Sequence, residues 1–306
     1  MLVLAEKESV YRLSLKNLKT GKNRRISAVI VTFNNSMMLK ELLSDLFSQT
    51  CPPDQIIVVD NASDDNTPQI VRNSFPSVKY IRLCENTGSA GGYYEGIKAA
   101  LENSDLIWTL DDDVRLRNDS LQEVLKGFEK LDFTLSVSSV RSVGDDHPYT
   151  SPTRLELFPW RGTLIKSELI RKYGLPMKEF FIYGEDLEYA MRFNERGFFC
   201  YWIPTSKCVE KRLEGKGQYE VMGKSVKIYA SAFQLYYAFR NQLYIFMKYK
   251  DYWRMVRILL YSIKATMCIV LFDKIKGFNK IRAIGTGLVD GFRGNLGKHT
   301  KYLPGK

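Results

Sequence analysis

The chain has 306 residues, 45% hydrophobic and 26% charged, an ordinary composition for one large globular domain or two small ones. Its formal net charge of +11 favours an anionic partner, such as a nucleotide, a nucleic acid or an anionic membrane. Two histidines and five cysteines without CxxC spacing disfavour His-dependent triads, structural zinc and a disulfide framework. We therefore expect carboxylates to carry any acid–base chemistry, in a cytoplasmic protein with reduced thiols.

Residues 1–25 are predicted to be a short lead-in, because they are charged throughout and lack the apolar segment of a secretion signal. No stretch reaches about 18 apolar residues without a charge. We therefore predict no ordinary transmembrane span.

Four apolar runs in the first third of the chain are predicted to be buried strands, at residues 26–31, 55–60, 78–83 and 107–110. They show no polar alternation, and a helical pattern follows the first run at residues 39–47, so we predict an α/β fold with a mostly parallel sheet covered on both faces. In such sheets, ligands bind beyond the carboxyl ends of the strands. Polar residues follow each run, namely Thr32 with Asn34, Asp60, the glycine-rich segment 85–92, and Asp111–Asp113. These clusters are expected to meet at one edge of the sheet.

The row Asp111, Asp112 and Asp113 directly follows a buried strand. Buried unpaired charge is costly, so these acids mark the end of that strand. Adjacent carboxylates repel each other, and a divalent cation relieves the repulsion. Taken alone, such a row is more often a solvated acidic turn. Its place in line with the other polar clusters favours a Mg²⁺ or Mn²⁺ site that also holds a phosphate.

The second half of the chain alternates less regularly. The predicted strands lie at 134–143, 160–165 and 200–204, and the predicted helices at 121–131, 167–173, 187–196, 228–249 and 251–272. The basic segment 207–227 lacks a core pattern and is predicted to be a loop, and a basic tail follows from Lys274. We place a catalytic domain at 26–227, with halves 26–115 and 116–227, and a helical, basic region at 228–306.

Over residues 26–245 the order of these motifs resembles the family 2 glycosyltransferases, the inverting nucleotide-sugar enzymes of the GT-A fold. The residues that carry the resemblance are Val31-Thr32-Phe33-Asn34-Asn35, Val58-Val59-Asp60-Asn61-Ala62-Ser63, Asn86-Thr87-Gly88-Ser89-Ala90-Gly91-Gly92, Leu110-Asp111-Asp112-Asp113, Gly184-Glu185-Asp186-Leu187-Glu188 with Arg192, and Tyr236-Tyr237 with Arg240-Asn241. The glycine-rich segment is more similar to the galactofuranosyl- and rhamnosyltransferase branch than to the cellulose or chitin synthase branch.

The resemblance implies a set of residues that bind the nucleotide sugar: Thr32, Asn34, Asp60, Gly88, Gly91, Gly92, Asp111, Asp112 and Arg240. Thr32, Asn34 and Asp60 would contact the base and ribose, and the glycines would let the backbone approach the donor closely. Asp113, with Asp111, would ligate Mg²⁺ or Mn²⁺. The structural alternatives are an Asx turn at Asp60, a tight turn at the glycines and a bracing role for Arg240.

Asp186 is the predicted general base of the inverting transfer, which needs a carboxylate to take the proton of the acceptor hydroxyl. Glu185 would bind acceptor hydroxyls or share that duty. Alternatively, the two acids cap the following helix. Trp160 is predicted either to stack on an acceptor sugar or to pack in the core.

One position departs from the family pattern. Relatives of this branch often carry a histidine after the strand that contains a proline, as a further metal ligand, and residues 204–210 contain none. Glu210 lies near that position and would substitute, since Mg²⁺ and Mn²⁺ accept oxygen ligands. Alternatively, the metal has fewer protein ligands, or Lys211 and Arg212 supply charge to the diphosphate.

The basic, aromatic stretch from Tyr229 to Phe278 suits helices that lie on an anionic membrane, or a bundle that covers the sheet or contacts another subunit. We predict a metal-dependent enzyme, peripheral at the inner face of the cell membrane, that does not bind nucleic acid. It would move galactofuranose or rhamnose from a UDP or dTDP donor to a glycan or polyprenyl-linked glycan in bacterial surface polysaccharide synthesis.

Two other functions stay open. A sugar-phosphate nucleotidyltransferase would use a similar nucleotide-binding half, although the chain lacks a glycine-rich N-terminal loop with trailing Arg and Lys. A non-catalytic module would use the positive charge to bind glycan or nucleic acid, but would leave the aligned carboxylates unexplained.

Overall fold

The computed structural model describes residues 24–131, 136–138, 140–142, 151–210, 216–221, 224–229, 231–273 and 277–303. The lead-in up to residue 23, His147, Lys211 and Arg212 lie outside these ranges. The side chain of Glu210 lies outside them too, although its backbone belongs to a strand.

Strands and helices alternate through most of the chain. In chain order the strands are β1 (Ile26–Thr32), β2 (Gln55–Asp60), β3 (Lys79–Arg82), β4 (Leu106–Asp111), β5 (Val114–Leu116), β6 (Ser136–Ser138), β7 (Val140–Ser142), β8 (Thr153–Leu155), β9 (Thr163–Lys166), β10 (Cys200–Trp202), β11 (Cys208–Glu210), β12 (Lys216–Val221) and β13 (Lys224–Tyr229). The helices are α1 (Ser36–Phe47), α2 (Thr67–Ser74), α3 (Gly88–Ala100), α4 (Ser120–Lys130), α5 (Ser167–Tyr173), α6 (Glu185–Asn194), α7 (Ala232–Lys248), α8 (Tyr252–Phe272) and α9 (Phe278–Arg293), with a short 3₁₀ helix at Lys178–Phe180.

An eight-stranded sheet in the order β3-β2-β1-β4-β9-β6-β10-β8 forms the centre of the structure. Its first four strands are parallel, as predicted, whereas β9 runs antiparallel to both of its neighbours. The strand register pairs Thr32 with Asp60, and Val31 with Asp111. The ends of β1, β2 and β4 therefore lie side by side, so the predicted convergence of polar residues on one edge is confirmed.

Both faces of this sheet are buried, which explains why its strands read as unbroken apolar runs. All seven residues of β1 are buried. Ala28 and Ile30 pack with the leucines of α1 and with α4, while Val29 and Val31 pack with Tyr93 and Ile97 of α3 on the other face. Alternate residues of one strand thus serve two separate apolar layers.

Helix α3 begins at Gly88, so residues 88–92 of the glycine-rich segment form the first turns of a helix and not a loop before it. A Cβ on Gly91 would lie 2.3 Å from Thr87 Oγ1, and one on Gly92 would lie 2.4 Å from Val31 Cγ1. The glycines weaken helix propensity, but they let the first turns of α3 pack directly on β1. Here the close packing of α3 on β1 outweighs the low helix propensity of the glycines.

Two other segments differ from the prediction. The segment 207–227 contains β11, which pairs with β5 and β7, and most of the β12–β13 hairpin, so it is not a simple loop, and the predicted boundary at 227/228 falls within β13. The predicted basic tail contains α9, which packs on α7. A Cβ on Gly287 would lie 2.6 Å from the carbonyl oxygen of Tyr236, so the residue that disfavours the helix also permits its close packing.

Helix α8 is long and apolar enough to cross a membrane, by length and composition, and only 28% of its most apolar window is buried. The prediction of no such span rested on finding a charge-free run. Arg254, Arg257 and Lys264 interrupt the apolar residues of α8, so that criterion missed it.

Gly88 and Gly197 provide a matched test of backbone packing, since both have positive φ values, of 73° and 80° respectively. A Cβ on Gly88 would lie 1.9 Å from the carbonyl oxygen of Phe181, whereas one on Gly197 meets nothing within 4 Å. We expect Gly197→Ala to lower the free energy of unfolding by about 1 kcal/mol and Gly88→Ala to lower it by more than about 3 kcal/mol. Urea unfolding of both variants measures the difference, and equal losses would contradict the proposed packing.

Candidate active site

Asp111, at the end of β4, is held by Tyr93 from α3. The Tyr93 hydroxyl lies 2.7 Å from Asp111 Oδ1, to which it donates, and 2.9 Å from the carbonyl oxygen of Leu110. Arg161 Nε lies 3.8 Å from Asp111 Oδ2. Burial, with a further contribution from the charge of Asp113, raises the pKa of Asp111 to about 7.

Asp112 joins the ends of β4 and β1. Its two carboxylate oxygens accept hydrogen bonds from the Thr32 hydroxyl at 2.6 Å and from the Asn35 amide at 2.9 Å. Burial raises the pKa of Asp112 to about 6, although both hydrogen bonds oppose the rise. Thr32 is buried, and its hydroxyl positions Asp112. The predicted contacts of Thr32 and Asp112 with the nucleotide sugar stay predictions.

Arg161 is the cation shared by the carboxylates of this edge, and sequence reasoning missed it. Burial raises the pKa values of Asp111, Asp113 and Asp186, and the positive charge of Arg161 opposes each of these rises. Arg161 directly follows Trp160, the residue of this segment for which a functional role was predicted. Nothing in its spacing distinguishes it from the many other basic residues of the chain.

Trp160 itself packs in the core, which is the second of the two roles predicted for it. Its side chain is 3% exposed and its ring stacks on Tyr93, with 4.6 Å between the ring centroids. Tyr189 of α6 packs against the same indole at 5.5 Å. The indole therefore supports Tyr93, the residue that holds Asp111, and has no open face for an acceptor.

Asp60 is fully buried at the end of β2. Its oxygens accept hydrogen bonds from the Tyr80 hydroxyl, from the Ser63 amide at 2.8 Å and from Arg82 Nη1 at 3.2 Å. The bond from Ser63 closes the turn after β2, which was the structural alternative for this residue. Asn34 is exposed beside that turn, where its side-chain oxygen accepts a hydrogen bond from the backbone amide of Asp64 at 2.8 Å.

Glu185 and Asp186 form the start of α6, close to the same edge. Gly184 is the N-cap residue, so the two acids lie in the first turn and do not cap the helix. The Ser89 hydroxyl donates to Glu185 Oε1, and within the described residues the buried Oε2 has no hydrogen-bond partner. Burial, and then the charge of Asp186, raise the pKa of Glu185 to about 8. Burial also raises the pKa of Asp186.

The backbone turn before these acids is strained. Phe181 and Tyr183 have φ values of 67° and 63°, a region that bulky residues rarely adopt. The Asn241 side-chain amide donates to the carbonyl oxygens of Ile182 at 2.8 Å and Tyr183 at 2.6 Å. This contact with α7 holds the turn that aims Asp186.

Arg240 completes this brace. The side chain is 1% exposed, and it donates to the carbonyl oxygens of Phe180 at 2.8 Å and Gly297 at 2.6 Å. Its Nε also donates to the Asn241 side-chain oxygen at 2.8 Å. The alternative, in which Arg240 braces the site, agrees with these contacts.

A buried ionic cluster fastens α6 to α7 one turn beyond the acid pair. Glu188 accepts hydrogen bonds from Lys248 Nζ at 2.7 Å, from the Tyr249 hydroxyl at 2.6 Å and from Arg192 of its own helix. Burial alone would raise the pKa of Glu188, but Arg192 and these hydrogen bonds prevail and hold it below its ordinary value. The pair Glu185–Asp186 is thus carried by a helix that α7 fixes at two points.

The donor set at this edge suits Mg²⁺ or Mn²⁺ that is bound together with a diphosphate. In the part of the chain that the structure describes, no group of three or more His, Cys, Asp or Glu side chains is arranged to hold a metal. Mg²⁺ is commonly held by one or two carboxylates plus substrate phosphates and water, and Asp113 with Asp111 would supply that number. Glu210 is the further metal ligand predicted from the sequence. Its backbone pairs with that of Val114, the residue that directly follows Asp113.

The comparisons with known proteins agree with this architecture. The sequence model described as "Glycosyl transferase family 2" matches residues 27–194, which is more than half of the chain. The galactofuranosyltransferase GlfT1 of Mycolicibacterium smegmatis is 28% identical over 60% of this chain and 68% of its own. The dTDP-rhamnosyl transferase RfbF of Shigella flexneri is 24% identical over 90% of this chain and 98% of its own.

A solved structure extends the likeness to the fold. The mannosyltransferase PcManGT from Pyrobaculum calidifontis, in complex with GDP-Man and Mn²⁺, superposes with a TM-score of 0.58 at 16% identity. The match covers 92% of this chain and 94% of that one, which supports the predicted GT-A fold. From the family match and the fold together, this chain belongs to glycosyl transferase family 2, in the branch that resembles galactofuranosyl- and rhamnosyltransferases, and is a glycosyltransferase.

Proposed function

We propose that the protein is a metal-dependent inverting transferase that moves a hexose, galactofuranose or rhamnose, from a nucleoside diphosphate to a glycan hydroxyl. The observation that carries the proposal is the acid pair formed by the buried Glu185 and the half-buried Asp186, electrostatically linked to the Asp111–Asp113 row. The charge of Asp111 contributes to the raised pKa of Glu185, and Arg161 acts on both groups of acids. One site therefore holds carboxylates for two different tasks.

Asp186 is the proposed general base. It removes the proton of the acceptor hydroxyl while the hydroxyl oxygen attacks the anomeric carbon of the donor sugar. The new carbon–oxygen bond forms on the face opposite the diphosphate, whose bond to the sugar breaks, so the configuration inverts. Burial, and then the charge of Asp186, raise the pKa of Glu185, and a protonated Glu185 is suited to donate a hydrogen bond to an acceptor oxygen.

The Asp111–Asp113 row faces the leaving group in this proposal. Asp113, with Asp111, would hold Mg²⁺ or Mn²⁺, which would supply positive charge for the departing nucleoside diphosphate. Asp112 keeps the row in place through Thr32 and Asn35. Arg161 screens the carboxylates from one another before the donor binds.

The donor and acceptor classes come from the relatives. GlfT1 and RfbF are named for galactofuranose and for dTDP-rhamnose, which supports a UDP or dTDP sugar as the donor here. A glycan or polyprenyl-linked glycan is the proposed acceptor, at the inner face of a bacterial membrane. The net charge of +11 favours such an anionic surface.

Replacement of the base tests the mechanism. We expect Asp186→Asn to lower turnover by a factor of about 100 to 10,000, because the amide cannot accept the acceptor proton, while donor affinity in calorimetry stays unchanged. Glu195→Gln, an exposed acid just past the other end of α6, is the matched control and should retain full turnover. Full activity of Asp186→Asn would exclude Asp186 as the base.

Thermal-shift measurements test the donor class. We expect one of the UDP-, dTDP- or GDP-linked sugars to raise the melting temperature by about 5 °C at saturation, only when Mn²⁺ or Mg²⁺ is present. Asp113→Asn should abolish the metal-dependent part of the shift. A protein that instead releases pyrophosphate from a nucleoside triphosphate and a sugar phosphate would be a nucleotidyltransferase.

The raised pKa of Glu185 also predicts how stability depends on pH. The pKa is about 8 in the folded protein and 4.5 in the unfolded chain, so the folded state binds a proton more tightly and Glu185 destabilises the fold increasingly as pH rises from 4.5 to 8. Without divalent cations, we expect Glu185→Gln to melt at least about 3 °C above wild type at pH 9, with a smaller gain at pH 5. A gain that does not change with pH would show that Glu185 does not carry the buried charge.

A further inference from the structure

Helix α8 is attached to the protein by one narrow stripe of side chains. Its buried residues are Ile258, Ser262, Ala265, Cys268 and Ile269. These positions recur every three or four residues, so they lie on one side of the helix. The stripe covers most of the helix and packs into the apolar cluster that includes α7 and α9.

The opposite side of α8 is apolar and exposed. The large apolar residues on it, between 38% and 72% exposed, are Tyr252, Trp253, Val256, Leu259, Leu260, Ile263, Met267, Val270 and Leu271. Leu259 also lines a groove of about 430 Å³ with Leu243, Leu288 and Phe292, so the apolar surface continues onto α9. An exposed apolar surface of this extent marks an interaction site.

The charges around this surface favour an anionic partner. The sequence of α8 contains no acidic residue, and the exposed Arg257 and Lys264 lie seven residues apart on one edge of the apolar side. On α9, Arg282 and Arg293 are exposed as well. A second copy of the chain would bring cations against cations, whereas anionic lipid headgroups complement them.

From these observations we propose that α8 docks in the plane of an anionic bilayer, with its exposed apolar side inserted between the lipids. The packed stripe from Ile258 to Ile269 prevents α8 from being surrounded by lipid, as a crossing helix would be. Arg257 and Lys264 extend to the headgroups from the edge of the inserted face.

The placement also bears on the acceptor, and this consequence rests on the proposed function. Helix α7 packs against α8, and Asn241 of α7 holds the turn that aims Asp186. Docking of α8 therefore fixes the acid pair at a set distance from the bilayer. An acceptor glycan carried on a membrane lipid meets the site without diffusing through bulk solvent.

Trp253 provides a direct readout of docking. It is 72% exposed, whereas Trp108, Trp160 and Trp202, the other tryptophans of the chain, are at most 5% exposed. We expect vesicles of phosphatidylcholine with phosphatidylglycerol to shift the tryptophan emission to the blue, and brominated lipids to quench it. Pure phosphatidylcholine vesicles should bind more weakly, and added salt should weaken binding to the anionic vesicles.

A charge placed on the apolar side tests the surface itself. We expect Leu260→Glu with Ile263→Glu to lower the vesicle partition coefficient by more than about tenfold, with unchanged melting, because both side chains are at least 58% exposed. The matched control, Met37→Glu with Leu157→Glu, makes the same charge change on exposed apolar residues elsewhere and should bind like wild type.

Three outcomes would overturn the proposal. The Leu260/Ile263 variant binding vesicles like wild type would exclude the surface. A wild-type dimer that this variant dissociates would show that a second copy covers the face, and membrane-bound protein that resists alkaline carbonate extraction would show a crossing helix. Vesicle binding is measured without donor or acceptor, so its failure is distinct from failure of the proposed transfer reaction.

Discussion

The site depends on crowding several carboxylates together where they are wholly or partly shielded from water, which is costly. Asp111, Asp112 and Asp113 are half-buried at the end of a buried strand, and the buried Glu185 with the half-buried Asp186 begin a helix close to the same edge. Their pKa values are all raised, and burial is the largest cause in every case. The arrangement persists because Tyr93, Thr32 and Asn35 donate hydrogen bonds to the row and because Arg161 supplies positive charge.

Repulsion among these carboxylates and their shielding from water raise the free energy of the folded protein, and a bound cation and substrate would lower it. An unpaired buried oxygen, as at Glu185 Oε2 among the described residues, is unfavourable until a hydroxyl or a proton reaches it. Sites that position titratable groups for chemistry commonly carry this kind of destabilisation. The cost is offset by the apolar layers on both faces of the sheet, which are fully packed around β1 and β4.

The C-terminal helices support the acid pair of the proposed active site as well as the proposed docking. Asn241 and Arg240 hold the strained turn before Glu185, and Lys248 with Tyr249 bind Glu188 on the helix that carries Asp186. The same three-helix cluster leaves one side of α8 exposed. A single bundle thus links the geometry of the acid pair to a surface suited to lipid.

The sequence by itself determined the parallel strands, the polar residues at their ends and the acid pair, since each is a local pattern of apolar runs followed by side chains that cannot be buried unpaired. It did not determine which of those side chains face a ligand. Thr32, Asp60, Trp160 and Arg240 have suitable chemistry, but packing buries them and directs their polar groups to other protein groups or into the core. Arg161 became visible only when the fold brought β9 beside β4, because its role depends on a contact with Asp111, 50 positions earlier in the sequence, rather than on any motif. Tertiary structure likewise decided that the glycines of α3 and α9 serve close packing, since a missing Cβ has meaning only against the backbone that approaches it.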